Sequence, residues 1–157
     1  MADIAPIAAE AQAALDRREK HYPAMVATGK LQPDRAEWEI MCWRAIAAQW
    51  RWVLTGERGG DGPAITDRQE VVALSIRRCD AQLGRIIATL PDNIRRDCAE
   101  GFSIDELRAI HGEAVAPLIA IRHQREHLIS MRDLYRDGTF RDLARLRAAL
   151  LASEKRS

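Results

Sequence analysis

Residues 36–54 read Ala-Glu-Trp-Glu-Ile-Met-Cys-Trp-Arg-Ala-Ile-Ala-Ala-Gln-Trp-Arg-Trp-Val-Leu, and all four tryptophans of the chain, Trp38, Trp43, Trp50 and Trp52, stand in this one stretch. Ala36, Ile40, Trp43, Ala47, Trp50 and Leu54 recur at steps of four and three, the period of a helix face. Trp38, Met41, Ala45, Ala48 and Trp52 form a second stripe at the same period. Glu37, Arg44 and Arg51 mark the polar edge. One stripe is enough to seat a helix on a core, so two predict a helix at the centre of a bundle or one that is half of an interface.

Working outward, Ile4, Ala8, Ala11, Leu15, Arg18, Tyr22 and Met25 hold the helical spacing and predict a first helix over residues 4–27. Pro23 lacks the amide hydrogen that the last turns need, so a kink or a restart is expected at Tyr22–Pro23. Gly29 is placed to end the helix in a left-handed conformation, and Pro33 to open the next one in its first turn. The short connection forces an antiparallel hairpin. Pairing about that turn sets Arg18 near Cys42 and Trp43, with its stem on the indole and its head reaching outward to water.

On the other side, residues 55–64 contain Gly56, Gly59, Gly60, Gly62 and Pro63, the composition of a linker. The run lacks the Gly-Lys-Ser/Thr ending that a phosphate cradle requires. Thr66 and Gln69 have the spacing of a capping box for a third helix bearing Val72, Ile76, Cys79, Leu83, Ile86 and Leu90, and Pro91 closes it. A short helix is expected over residues 92–100, ended by Gly101. Ser103 and Glu106 form a second capping box for a stripe through Leu107, His111, Ala114, Leu118, Ile121, Arg125, Leu128 and Tyr135, with a kink or break at Pro117. Gly138 ends that helix, and Thr139 caps a last one with Phe140, Leu143, Leu146 and Leu150 inward. The expected fold is all-α: an N-terminal antiparallel helical hairpin over residues 1–55, a linker over 56–65 and a helical bundle over 66–157.

Composition fits this reading. With 47% hydrophobic and 30% charged residues, nine glycines and six prolines, the chain is that of an ordered helical protein. Cys42, Cys79 and Cys98 are odd in number and lack Cys-x-x-Cys spacing, which argues against a disulfide framework and a zinc knuckle and for reduced core thiols in a cytoplasm. No run reaches about 18 uninterrupted apolar residues, and the first ten residues have no basic signal region, so a membrane is not an expected partner.

Three constellations bear on chemistry. His123-Gln-Arg-Glu126-His127 has the order of inverted zinc peptidases, in which two histidines one turn apart bind the metal and the glutamate is the base. A third ligand is needed, few residues follow, and Arg122 and Arg125 would oppose a dication, so the expectation is two surface imidazoles, no metal, no cofactor and no enzyme. Residues 101–112 resemble the first helix and turn of helix-turn-helix DNA-binding domains. A recognition helix would begin near Pro117, yet Leu118, Ile119, Ala120 and Ile121 would meet the bases, with Arg122 the first polar side chain. The third is a set of arginines, Arg122, Arg125, Arg132, Arg136, Arg141, Arg145 and Arg147, which suit phosphate. Interleaved Glu126, Asp133, Asp137 and Asp142 make surface ion pairs the simpler reading.

Arg17-Arg18-Glu19-Lys20-His21-Tyr22-Pro23-Ala24-Met25-Val26-Ala27-Thr28-Gly29-Lys30, followed by Leu31, Ala36 and Ile46, resembles a short hairpin recurring in small phage and prophage proteins, with the pattern R-R-E-x-x-Y-P-x-x-V-x-x-G-K. The resemblance covers the first third of the chain. Members usually carry Ser or Thr before the second helix, where Gln32 stands here. What it implies is a mobile-element origin in a bacterial cytoplasm; it implies no activity. The expected function is therefore non-enzymatic, a phage-type accessory protein that binds itself or another protein through Trp38, Met41 and Trp52. The alternative is a DNA-associated regulator using residues 101–136, with Arg122, Arg125, Arg132, Arg136, Arg141 and Arg145 on nucleic acid.

Overall fold

The protein is described by a computed structural model covering residues 4–57, 65–136 and 140–156, the side chains of residues 65, 135, 136 and 140–143 excepted. Seven α-helices account for nearly all of the described residues, and no strand occurs among them: α1 Ile4–Ala27, α2 Pro33–Thr55, α3 Ile65–Thr89, α4 Asp92–Ala99, α5 Ile104–His111, α6 Ala116–Arg136 and α7 Phe140–Glu154. The chain divides into two compact units. One holds residues 1–73 and 130–157, the other residues 74–129. This differs from the division expected at the linker, because the last helix groups with the hairpin.

In the first unit, α1 and α2 form the antiparallel hairpin. Gln12 meets Arg51, Glu19 meets Arg44, and Arg18 and Tyr22 meet Glu39, so partner numbers fall on one helix as they rise on the other. The turn between them follows from Gly29 at φ 73°, which lets the amides of Gly29 and Lys30 reach the carbonyls of Val26 and Met25. Pro33 then opens α2 in its first turn. The restart expected at Pro23 does not occur: α1 continues through it to Ala27. Pro23 is exposed, so water can serve the carbonyl of Glu19 that loses its donor, while the preceding Tyr22 is held on the buried side by Glu39.

The buried face of α2 consists of Ala36, Glu39, Cys42, Trp43, Ile46, Ala47, Trp50 and Val53. It runs between the two stripes read from the sequence and takes only part of the first, since Leu54 is exposed. Beyond Thr55, Gly56 adopts a left-handed φ of 79° and returns its amide to the Trp52 carbonyl. Arg147 of α7 donates to the carbonyls of Trp52 and Val53 at 3.0 and 3.1 Å, adding a second donor to the Trp52 carbonyl and satisfying the Val53 carbonyl, which the helix end leaves open. This contact explains why α7 belongs with the hairpin. Helix α3 starts at Ile65, so Thr66 lies inside its first turn and not at the cap position expected of it.

In the second unit, Ile94, Leu107, Val115, Leu118 and Ile119 form the core, flanked by Leu83, Ile86, Ile87, Leu90 and Phe102. The capping box at α5 is present: the Ser103 hydroxyl accepts from the Glu106 amide, and the Glu106 carboxylate accepts from the Ser103 amide. The break expected at Pro117 lies earlier, at Gly112, whose φ of 57° ends α5 and begins a 3-10 turn over Gly112–Val115. Pro117 falls in the first turn of α6, where its missing amide costs nothing. The expected ends at Gly138 and Thr139 lie outside the described residues.

Candidate functional site

The candidate surface is the outer face of α2, and the packing beneath it decides which side chains are available. Trp43 and Trp50 are fully buried in the hairpin. Their indole nitrogens have no hydrogen-bond partner among the described residues, so the contribution of these two rings comes from their area and their faces. Beside Trp43 lies a charged cluster. Glu39, with no exposed surface, accepts from Arg18 Nε at 3.3 Å, from the Tyr22 hydroxyl and from Arg35 Nε at 3.3 Å. The Arg18 guanidinium sits 4.8 Å from the Trp43 ring centre and donates a further hydrogen bond to the Ala14 carbonyl. Arg18 therefore does not reach outward to water as expected. It is 8% exposed and neutralised inside the hairpin.

Glu39 was not among the residues singled out from the sequence, although its signal was there. An acid placed one turn before Trp43 falls on the buried face, and the hairpin register that brings Arg18 level with Trp43 brings Tyr22 level with it. With Arg18 and Tyr22, the R-R-E-x-x-Y segment provides two of the three partners of Glu39. The neighbouring Cys42 thiol is pushed up to about 11 by burial, with Asp67, Glu39 and Glu70 raising it further and Arg68 opposing them. It is an inert thiol at neutral pH, not a nucleophile.

The second stripe lies toward the surface. Trp38 and Trp52 are half-buried, Ala45 and Ala48 likewise, and Met41 is 47% exposed. Each of the two tryptophans lies under a guanidinium, Arg35 at 4.7 Å from Trp38 and Arg147 at 5.7 Å from Trp52. These cations cover part of each ring and leave Met41 as the open apolar side chain between them.

Two of the six arginines expected on nucleic acid are engaged locally. Arg125 is paired with Asp80 and Arg132 with the adjacent Asp133; Arg145 is exposed on α7. The side chains of Arg136 and Arg141 lie outside the described residues. Arg122 and Arg125 line a cleft of about 620 Å3 in the second unit, but Asp80, Asp105 and Glu126 line it too, so carboxylates outnumber guanidiniums there. On α6, Leu118 and Ile119 are core residues, and the first exposed positions are Ala116, Pro117, Ala120 and His123. A helix opening in this way offers bases no donor or acceptor in its first turn. His123 and Glu126 are exposed and His127 half-buried, and no group of three or more His, Cys, Asp or Glu suited to a metal ion occurs among the described residues. No described helix is long and apolar enough to cross a membrane.

Comparison with known proteins adds no relative: no family model, no curated protein and no solved structure matches the chain.

Proposed function

We propose that this chain is a non-enzymatic binding protein that docks on another protein surface through the outer face of α2, with Trp38, Met41 and Trp52 as the contact residues. The observation that carries the reading is the division of labour within one helix. Trp43 and Trp50 have no exposed surface, whereas Trp38 and Trp52 remain half-buried around an open Met41. Tryptophan and methionine are enriched at the centres of protein interfaces, where a flexible thioether beside rigid rings adapts to a partner. The resemblance of residues 17–31 to phage and prophage hairpins supports placing that partner in a bacterial cell carrying a mobile element. Nucleic acid is the weaker reading, because Arg125 and Arg132 already face carboxylates.

The test is a photo-crosslinking side chain at position 41, compared with one at exposed Lys20 on α1, in bacteria expressing the full chain. The expected result is a discrete adduct from position 41 and none from position 20. Equal, diffuse or absent crosslinking at both positions would refute docking through this face.

A further inference from the structure

The outer face of α2 carries unbalanced charge of opposite sign at its two ends. At the N-terminal end Asp34 and Glu37 are exposed, and neither has an ion-pair partner among the described residues. At the C-terminal end the exposed Arg51 donates to the amide oxygen of Gln12, and Arg147 donates to the carbonyls of Trp52 and Val53. No described carboxylate neutralises either guanidinium. Between the ends, the bulky Met41 is followed one and two turns later by the small residues Ala45 and Ala48. At 100° per residue, Asp34, Glu37, Met41 and Ala48 share about 60° of helix surface.

We infer that the partner of this face is a second copy of the chain, whose α2 packs antiparallel to the first; the inference rests on the reading of α2 as a docking helix. A two-fold axis level with residues 44 and 45 sets Met41 level with Ala48 of the other copy. The same axis sets Glu37 level with Trp52, one residue from Arg51, and Asp34 level with Thr55, close to where Arg147 caps the helix. In such a pair the same flank of each helix meets, so every acid end faces a basic end, and symmetry makes each contact twice. A parallel pair would instead set acid on acid and arginine on arginine. The stripe from Asp34 to Trp52 is about 27 Å long, and one helix pair of that length is at the small end of specific interfaces.

The test is analytical ultracentrifugation of the full chain over a concentration series, with helicity of each variant checked by circular dichroism. Wild type should approach twice the monomer mass of 17.7 kDa as concentration rises. Glu37→Arg and Arg51→Glu should each weaken association at least about tenfold, and Met41→Glu should leave a monomer. The double variant Glu37→Arg/Arg51→Glu should recover association, since only antiparallel pairing joins positions 37 and 51. A wild-type monomer at about 0.5 mM, a dimer indifferent to all three substitutions, or a double variant no better than its parents would overturn the inference. A monomer that still crosslinks from position 41 to a different polypeptide would overturn the second copy as partner and leave the docking reading standing; a monomer without any such adduct would overturn both.

Discussion

Removing the Glu39 carboxylate should destabilise the hairpin more than any exposed substitution on α2. In Glu39→Ala, the Arg18 guanidinium, 8% exposed, keeps the Ala14 carbonyl as a partner but loses its counter-charge, and the buried Tyr22 hydroxyl loses its acceptor. Breaking one side of a buried ion pair costs about 3–5 kcal/mol, against a total stability on the order of 5–15 kcal/mol. At about 2–4 °C per kcal/mol for a chain of this size, the melting point should fall by about 6–20 °C. The Arg35 contact adds little, because that arginine is 42% exposed on its side chain. Glu39→Gln keeps volume and an acceptor and should cost about 2 kcal/mol. Replacing the whole cluster, Arg18→Met with Tyr22→Phe and Glu39→Leu, should come within about 1 kcal/mol of wild type, because no charge is then stranded. Urea unfolding followed by tryptophan fluorescence is the suited assay, since all four tryptophans lie in α2 and report the first unit, while circular dichroism reports the helices of both. A Glu39→Ala loss below about 1 kcal/mol, or a triple variant as unstable as the single, would refute the assignment of this cluster as a mutually dependent charged core.

Three further outcomes follow from other contacts. Gly56→Ala should cost about 1–2 kcal/mol for the left-handed φ of 79°. It should also dislodge Arg147, whose Nη2 lies 2.2 Å from where a Cβ would stand, so adding Arg147→Gln in thermal melts should cost less than the two losses summed. The Cys42 thiol, raised from its usual 9.0 to about 11, holds its proton more tightly in the folded state, so its contribution to stability is present below pH 9 and lost as pH rises toward 11. Cys42→Ala should flatten that alkaline decline in urea midpoints, and in native protein the half-buried Cys98 should be alkylated before Cys42 or Cys79. In anisotropy titrations with duplex and single-stranded DNA at two salt concentrations, binding should be weak at both. Submicromolar, steeply salt-dependent binding lost on changing Arg132, Arg136, Arg141 and Arg145 to glutamine would instead favour nucleic acid as partner.

Much of the fold is legible in residue spacing because helices leave a period and their ends leave chemistry. Gly29, Pro33, Gly101 and the Ser103–Glu106 box each act through backbone geometry or a local hydrogen bond, and these are visible in a few consecutive residues. What was not legible depended on partners distant in sequence. Glu39 reads as polar and therefore exposed until Arg18 and Tyr22 are set against it, and Pro23 reads as a breaker until its exposed side of α1 is known. The true buried face of α2 runs between two apparent stripes because Glu39, Cys42, Ile46 and Val53 join Ala36, Trp43, Ala47 and Trp50 in the core, while Ile40 and Leu54 satisfy the helical period of the first stripe without being core. Arg147 looks like one more member of a basic set, yet its role is to cap a helix that lies over ninety residues earlier in the chain. On the candidate surface, Trp38, Met41 and Trp52 were readable as a second stripe; that Arg35 and Arg147 cover the two rings and leave Met41 open was not, since cation–π stacking leaves no mark in spacing.

The two-faced character of α2 is tested most directly by fluorine NMR of the chain labelled with fluorotryptophan, recorded over a concentration series with a soluble paramagnetic agent. Trp43 and Trp50 should be shielded from the agent at every concentration, while Trp38 and Trp52 should be accessible in dilute protein and become shielded as the outer faces of two copies meet. Resonances of Trp38 and Trp52 that stay equally accessible throughout, or four tryptophans shielded alike in dilute protein, would contradict the account of α2 as one buried face and one docking face.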